Sequence, residues 1–287
     1  MYAIDAATQV CAVIGNPVGH SLSPAMHNAA FEAAGLNYVY VAFRVEDVGA
    51  CLTGMRALHG FRGLSVTIPH KQAVMPHLDA VEPMARRVGS VNTVTNDEGR
   101  LVGSTTDGPG TLRAFADAGV ALAGRRTLFL GSGGAVRAVA FAFGELARVS
   151  CITVLGRTQA NVEALAKDLR AAVAAEVRAG SLTDDLEAAL AEHDVIVQGT
   201  PVGMAPDTEA SCVPAHALRS DHVVFDMVYR PLKTRLLRDA EAAGCVVIPG
   251  VEMLVNQAVL QFETWTGVPA PRDVMREALL AALTPGR

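Results

Sequence analysis

The chain carries 24 basic residues, and only three of them, Lys71, Lys167 and Lys233, are lysines. Lys71 ends the run Ser65-Val66-Thr67-Ile68-Pro69-His70-Lys71, a short β-like stretch closed by a proline. An arginine guanidinium keeps its proton under ordinary conditions, whereas a lysine amine can release one and take it back. A sequence that writes nearly all its positive charge as arginine but keeps an amine here makes Lys71 the first candidate for proton transfer. Lys167, in Leu165-Ala166-Lys167-Asp168-Leu169, has the pattern of a solvated helix face, and Lys233 that of a loop. Asn92 interrupts Val91-Asn92-Thr93-Val94, although asparagine is depleted in strands. Asp107 follows Gly103-Ser104-Thr105-Thr106 and precedes Gly108, a place that also suits a helix cap or a turn. Lys71, Asn92 and Asp107 all stand at the ends of predicted strands of one lobe, where parallel-sheet proteins bind ligands. An aspartate beside Lys71 would orient its amine.

A second polar group lies in Gly15-Asn16-Pro17-Val18-Gly19-His20-Ser21-Leu22-Ser23-Pro24-Ala25-Met26-His27-Asn28, between a strand and a helix. Pro24 suits the first helical turn with Ser23 as its N-cap. That account leaves Ser21 unexplained. Two hydroxyls at i and i+2 in such a loop could jointly hold a carboxylate or a polyol. His20 and His27 have no Cys or carboxylate at ligand spacing, so no metal site is predicted.

The elements that must position these residues alternate between strand and helix. Val10–Ile14, Tyr38–Phe43 and Gly63–Ile68 read as strands, while Pro24–Ala34, Val48–Leu58 and Val74–Leu78 read as helical. Ser90–Thr95 and Leu101–Gly103 suggest a hairpin turning at Glu98-Gly99. Beyond Asp107, strands at Thr127–Leu130, Cys151–Leu155, Val195–Gln198, Val223–Asp226 and Cys245–Ile248 alternate with helix-like stretches, the signature of parallel βαβ units. Glu252–Thr264 and Pro271–Leu283 close the chain as helices. The fold class is α/β in two lobes, since 287 residues exceed a comfortable single core.

Within the second lobe, Thr127-Leu128-Phe129-Leu130 runs into Gly131-Ser132-Gly133-Gly134-Ala135-Val136. A glycine-rich turn between strand and helix lets backbone N–H groups approach a pyrophosphate at the positive helix end. Val136 stands where a dinucleotide fingerprint carries Gly or Ala. The next strand ends in Gly156-Arg157-Thr158, with no Asp or Glu to hold a ribose 2′-hydroxyl. A guanidinium and a hydroxyl there suit a 2′-phosphate, which favours NADP as cofactor.

Bulk properties narrow the rest. A net charge of -5 and a pI near 5.9 offer no basic patch for nucleic acid. Five scattered cysteines, none in a C-x-x-C pair, suggest reduced thiols in a cytoplasmic protein. No apolar run is long enough to span a bilayer. The partners expected are small molecules, with monomer or homodimer left open.

These motifs together resemble the shikimate dehydrogenase family, almost from end to end. The resemblance rests on Ser21-Leu22-Ser23-Pro24, Val66-Thr67-Ile68-Pro69-His70-Lys71, Val91-Asn92-Thr93, Thr106-Asp107-Gly108 and the Gly131–Ala135 loop. It continues through Arg157-Thr158, Thr200-Pro201-Val202-Gly203-Met204, Asp226-Met227-Val228-Tyr229-Arg230-Pro231 and Gly250-Val251-Glu252-Met253-Leu254-Val255-Asn256-Gln257. It implies a substrate domain over residues 1–107, joined by C-terminal helices at 250–287, and a Rossmann-like NADP domain over 108–249. It implies reversible hydride transfer between NADPH and 3-dehydroshikimate, giving shikimate for aromatic amino acid biosynthesis. Ser21 and Ser23 would hold the substrate carboxylate. Thr67, Lys71, Asn92, Asp107 and Gln257 would contact ring hydroxyls near Tyr229, with Lys71 and Asp107 catalytic. Gly131, Ser132, Gly133, Gly134, Ala135, Arg157, Thr158, Met227 and Gly250 would line NADP. Gly108, Gly110 and Gly250 are places where the backbone could bend as two lobes close on ligand.

Three positions depart from the family pattern. Thr105 stands for the usual Asn, Gly156 replaces the Asn before Arg157, and Asn161 replaces a second basic residue. A quinate or aminoshikimate dehydrogenase of the same family is the alternative reading.

Overall fold

In the computed structural model, which describes residues 4–284, the chain forms two compact units, each built on its own six-stranded sheet. The first unit takes the chain up to Gly110 and again from Val255; the second is Thr111–Leu254. In the first, strands β1 (Gln9–Gly15), β2 (Tyr38–Arg44), β3 (Phe61–Val66), β4 (Ala80–Val81), β5 (Thr93–Asp97) and β6 (Arg100–Ser104) lie in the order β2-β1-β3-β5-β6-β4. β1 pairs in parallel with β2 and β3, but β5 runs antiparallel to both β3 and β6. The β5–β6 hairpin turns on Glu98 and Gly99, with φ of 49° and 89°, the left-handed pair that a tight hairpin requires.

Helices α1 (Ser23–Ala33), α2 (Val48–Ala57), α3 (Pro83–Val88) and α4 (Asp107–Asp117) follow these strands. Asp47 caps α2 by accepting the Ala50 N–H at 2.9 Å. Ala12, Ile14, Leu64, Val66 and Val94 point to one sheet face and bury Val48, Leu52 and Met55 of α2. Leu22, not Ser23, occupies the N-cap of α1 and makes no side-chain cap bond, which corrects the sequence expectation. β3 stops at Val66, so Thr67 and the exposed Ile68 belong to a turn. The helix expected over Val74–Leu78 is a single 3-10 turn at Met75–His77.

The second unit carries β7 (Arg126–Leu130), β8 (Cys151–Gly156), β9 (Glu176–Ser181), β10 (Val195–Gln198), β11 (Val223–Asp226) and β12 (Val246–Pro249), parallel throughout, in the order β12-β11-β10-β7-β8-β9. Helices α5 (Gly134–Glu145), α6 (Gln159–Ala172), α7 (Leu186–Glu192) and α8 (Arg235–Ala242) connect them. β8, β10 and β11 are buried at every residue, as strands covered on both faces must be. Leu128 and Leu130 pack with Leu190, Leu236 and Leu237 on one face, while Phe129, Phe143, Phe115 and Phe225 meet edge to face.

Two helices, α9 (Gly250–Thr266) and α10 (Arg272–Leu283), end the chain, and α10 packs on α1. In the first unit α9 supplies Phe262, in contact with Phe31, and Trp265, whose Nε1 donates to the Val94 carbonyl at 3.1 Å. Gly63 is glycine because a Cβ there would overlap the Trp265 indole. His27 stacks on Tyr40 with ring centres 4.4 Å apart, and neither of its ring nitrogens has a partner among the described residues.

Burial presses the His27 imidazole down to about 3. A depressed folded-state pKa means that the unfolded chain binds the proton first. The stabilisation is therefore complete above about 6.5 and is lost as pH falls toward about 3, at roughly 1.4 kcal/mol per pH unit. We expect urea unfolding to show this acid-side slope and His27→Phe to flatten it, whatever the variant's stability at neutral pH. Equal slopes in the two proteins would show that His27 does not carry it.

Candidate active site

The strand directions of the first unit gather its polar residues at one end of the sheet. β1 and β3 are parallel, and the loops that follow them carry Ser21 with Ser23 and Thr67 with Lys71. β5 is antiparallel, so Asn92, just before it, stands at the same end. β6 returns to that end and delivers Thr105, Thr106 and Asp107. The ladder extends past its formal limits here: the Val66 N–H donates to the Asn92 carbonyl at 2.8 Å and the Asn92 N–H to Ser104 at 3.2 Å. The Val91 N–H fixes the turn by donating to the Lys71 carbonyl at 2.9 Å.

Asp107 is 6% exposed and accepts from Lys71 Nζ at 2.5 Å on Oδ2 and from Asn92 Nδ2 at 2.8 Å on Oδ1. Asn92 Oδ1 in turn accepts from the Thr106 N–H at 2.9 Å. The Lys71 side chain keeps 24% exposure. A carboxylate so buried needs donors on it, and a partly open ammonium beside it can donate outward as well. Ser21 Oγ accepts the Ser23 N–H at 3.3 Å, so the two serines form one turn. Burial pushes the Tyr40 phenol well above its usual range, opposed by hydrogen bonding to Ser65 and more weakly to Ser23.

Gln257 is packed against α4 at a glycine. A Cβ on Gly110 would stand 2.6 Å from the Gln257 N and 2.8 Å from its Cα, so α4 and α9 approach backbone to backbone. Gly110, expected to be a bend, is thus inside a helix with a packing reason for lacking a side chain. The Thr105 hydroxyl is buried without a hydrogen-bond partner among the described residues.

In the second unit β7 opens into Gly131 with φ of 108°, and Gly133 precedes α5 as its N-cap. A Cβ on Gly133 or Gly134 would meet nothing of the protein, so these glycines leave the backbone N–H groups accessible instead of relieving an internal clash. The loop lies where the sheet order reverses, between β7 and β10, the switch point at which such sheets bind nucleotides. Val136 is accommodated by Gly199, whose Cβ would overlap the valine. Gly156 likewise lies against Val162, 2.7 Å from where its Cβ would be. Arg157 and Thr158 are exposed just beyond β8, and the Thr158 hydroxyl makes no capping bond to α6. Asn161, one turn further, is also exposed. Ser132 and Ala135 flank the open glycines. These residues fit a phosphorylated dinucleotide: open N–H groups for the pyrophosphate, and a cation with a hydroxyl for a 2′-phosphate.

Met227 and Tyr229 follow β11, held by Asp226, which accepts from the Val228 N–H at 3.0 Å and the Thr234 hydroxyl at 2.6 Å. Burial pushes the Asp226 carboxyl up to about 6. Gly250 begins α9 with a Cβ position only 2.7–2.8 Å from three carbonyls of residues 226–228. Among the described residues, no group of three His, Cys, Asp or Glu side chains could hold a metal ion.

Several residues around the dyad have no counterpart in the sequence reading. Tyr40, Ser65, Thr93 and Gln261 form a buried chain of hydrogen bonds behind Asn92. The available signal was a polar residue, Gln261, one helical turn after Gln257 on the same face of the helix.

Comparison with known proteins gives the same outline. The family model for the shikimate dehydrogenase substrate binding domain matches residues 13–94, and that for the shikimate 5′-dehydrogenase C-terminal domain matches residues 250–280. A relative from Symbiobacterium thermophilum, named shikimate dehydrogenase (NADP(+)), is 48% identical over 96% of this chain and 95% of its own. Shikimate 5-dehydrogenase from Thermus thermophilus, solved with NADP(H) and shikimate, is 41% identical with a TM-score of 0.86, covering 96% of this chain and all of that one. The enzyme from Listeria monocytogenes, solved with shikimate and NAD, is 36% identical with a TM-score of 0.93, covering 97% and 99% of the two chains.

An alanine at a helical glycine ordinarily stabilises by about 0.5–1 kcal/mol. At Gly110 the methyl group must displace the backbone of α9, an overpacking cost of about 1–3 kcal/mol. Gly110→Ala should therefore lower stability by roughly 1–2 kcal/mol in denaturant titration. A stabilised variant would show that α9 moves away without cost.

Proposed function

Because this chain belongs to the shikimate dehydrogenase family, we propose that it reversibly reduces 3-dehydroshikimate to shikimate with NADPH. The observation that carries the reading is the Asp107 carboxylate shared between Lys71 Nζ and Asn92 Nδ2, at the sheet end that also bears the two-serine turn. Ser21 and Ser23 hold the substrate carboxylate; Thr67, Asn92 and Gln257 hold ring hydroxyls, and Tyr229 is also assigned to the substrate. Gly131, Ser132, Gly133, Gly134 and Ala135 would cradle the cofactor pyrophosphate, Arg157 and Thr158 would take the 2′-phosphate, and Met227 and Gly250 would line the cofactor. NADPH bound there supplies the hydride. Substrate and cofactor must be in van der Waals contact for that transfer, with bulk water excluded.

Lys71 polarises the ketone and gives a proton from Nζ to the forming alkoxide, while Asp107 keeps the ammonium aimed. In the oxidation direction the pair takes the proton back. The domain assignment follows: substrate groups from residues 1–107 and the C-terminal helices, cofactor groups from 108–249. No helix among the described residues is long and apolar enough to cross a membrane, and the five cysteines are free thiols; the reading places the reaction in the cytoplasm, in aromatic amino acid biosynthesis. Reduction of NADP with shikimate and quinate side by side tests the substrate: shikimate should be turned over and quinate poorly. Equal turnover of quinate would favour the alternative.

General acid–base catalysis contributes about 10²–10⁴-fold, so Lys71→Ala should lower kcat by about that factor and change KM less. Lys71→Arg should not restore the rate, since a guanidinium does not release its proton. Near-normal kcat in Lys71→Arg would reduce the amine to an electrostatic anchor.

One charge-assisted hydrogen bond discriminates by roughly ten- to a hundredfold. Arg157→Ala should therefore raise the KM for NADP about tenfold or more and leave that for NAD nearly unchanged. If both rise together, Arg157 supports the loop and does not read the phosphate.

A further inference from the structure

We propose that Gln261 is a positioning residue that sets the direction of the hydrogen bonds reaching Asp107. The inference rests on the dehydrogenase reading for its kinetic arm alone. Gln261 is 1% exposed on α9 and lies behind the dyad, not on it. Its Nε2 donates to the Asn92 backbone carbonyl at 3.1 Å and to Thr93 Oγ1 at 2.9 Å; its Oε1 accepts from Ser65 Oγ at 2.8 Å.

One group in this set has no freedom. A backbone carbonyl can only accept, so the Gln261 amide cannot be turned over: its NH₂ must face Asn92. The same NH₂ donates to Thr93 Oγ1, which must then spend its own hydrogen elsewhere. It does so on Asn92 Oδ1, at 2.8 Å. With Oδ1 receiving both that hydroxyl and the Thr106 N–H, the Asn92 amide presents Nδ2 to Asp107 Oδ1 and to Thr106 Oγ1, at 2.8 and 3.0 Å. Asp107 Oδ2 is thereby turned to Lys71 Nζ.

On the far side the polarity is equally determined. Ser65 gives its hydrogen to Gln261 Oε1, so its oxygen accepts the Tyr40 hydroxyl, at 2.6 Å. Tyr40, Ser65, Thr93 and Asn92 are all buried, so water does not compete for these bonds. Buried polar chains of this kind are cooperative when fully satisfied. The function inferred is orientation: through Thr93, Gln261 adds a second donor to the Thr106 N–H on Asn92 Oδ1 and so tightens the rotamer of Asn92 that donates to the carboxylate.

Gln261→Met preserves length and removes both donor and acceptor. The Asn92 carbonyl keeps the Val66 N–H, so no backbone group is orphaned. The variant loses three buried hydrogen bonds, of which the one to Thr93 leads to the dyad; loss of that one should lower kcat about tenfold, with KM for shikimate and for NADP within about twofold of the parent. Thr93→Val should do the same, and Thr93→Ser should recover most of that loss by restoring the hydroxyl. The double variant Gln261→Met/Thr93→Val should be no slower than either single one, because both cut the same path. In the unliganded protein, the Asn92 side-chain amide should lose protection from hydrogen exchange in Gln261→Met and Thr93→Val. Additive kinetic losses, or an Asn92 amide equally protected in all variants, would overturn the proposal and leave Gln261 a core hydrogen bond. If the parent protein fails to oxidise shikimate, the exchange arm still decides the positioning question. If Gln261→Met does not fold, the Thr93 pair decides it.

Discussion

A carboxylate with 6% exposure is the constraint on which the first unit is organised. Taking such a charge out of water costs several kcal/mol unless donors replace the lost solvent. Asp107 obtains them from two chain segments far apart in sequence, Lys71 at 2.5 Å and Asn92 at 2.8 Å. A purely parallel sheet would have sent the chain around a helix between these segments. The antiparallel β5–β6 hairpin instead begins and ends at the one sheet end where β3 has just delivered Lys71. The hairpin is therefore the device that makes three side chains meet. Its register in turn is protected by Trp265 against Gly63 and by the Trp265 bond to Val94.

The second unit works by leaving groups unused. Gly133 and Gly134 are not forced by internal crowding, and the Thr158 hydroxyl is idle in capping its own helix. Native backbones seldom leave such groups without purpose near a switch point of the strand order. The two departures from the dinucleotide and family patterns have local physical reasons. Val136 is matched by the missing side chain of Gly199, and Gly156 makes room for Val162. Each pair keeps a helix close to the sheet with the side chain transferred from one partner to the other. Asn161 has no such compensation, which leaves Arg157 as the cation just beyond β8.

Legibility in the sequence followed what each element buries. β8, β10 and β11 are buried throughout, so their unbroken apolar runs were found. β9 was missed because Val177 is its one buried residue, and an edge strand of mixed polarity has no period to read. β4 is two residues long and α3 six, too short for any repeat. Ser23 was read as an N-cap from its residue type, but the α1 turn begins one residue earlier and Ser21 takes its N–H. Lys71 stood out as one of three lysines, Asn92 because it interrupts an apolar run, and Asp107 because it stands at a strand end of the same lobe. Gln261 did not, since periodicity reports that a side chain is buried and not which groups it will find there.

The direction of the hydrogen bonds behind the site bears on where a proton can travel. Asn92 can only donate through Nδ2, so Asp107 Oδ1 is committed as an acceptor. Oδ2 is the oxygen that meets Lys71 Nζ. Of the two ends, Lys71 is the more exposed, at 24% against 8% for the aspartate side chain. The amine is thus the more open end of the pair. The proton transfer proposed above would also account for the retained lysine. A guanidinium could pair with Asp107 in bidentate form, but it would not release a proton to a substrate.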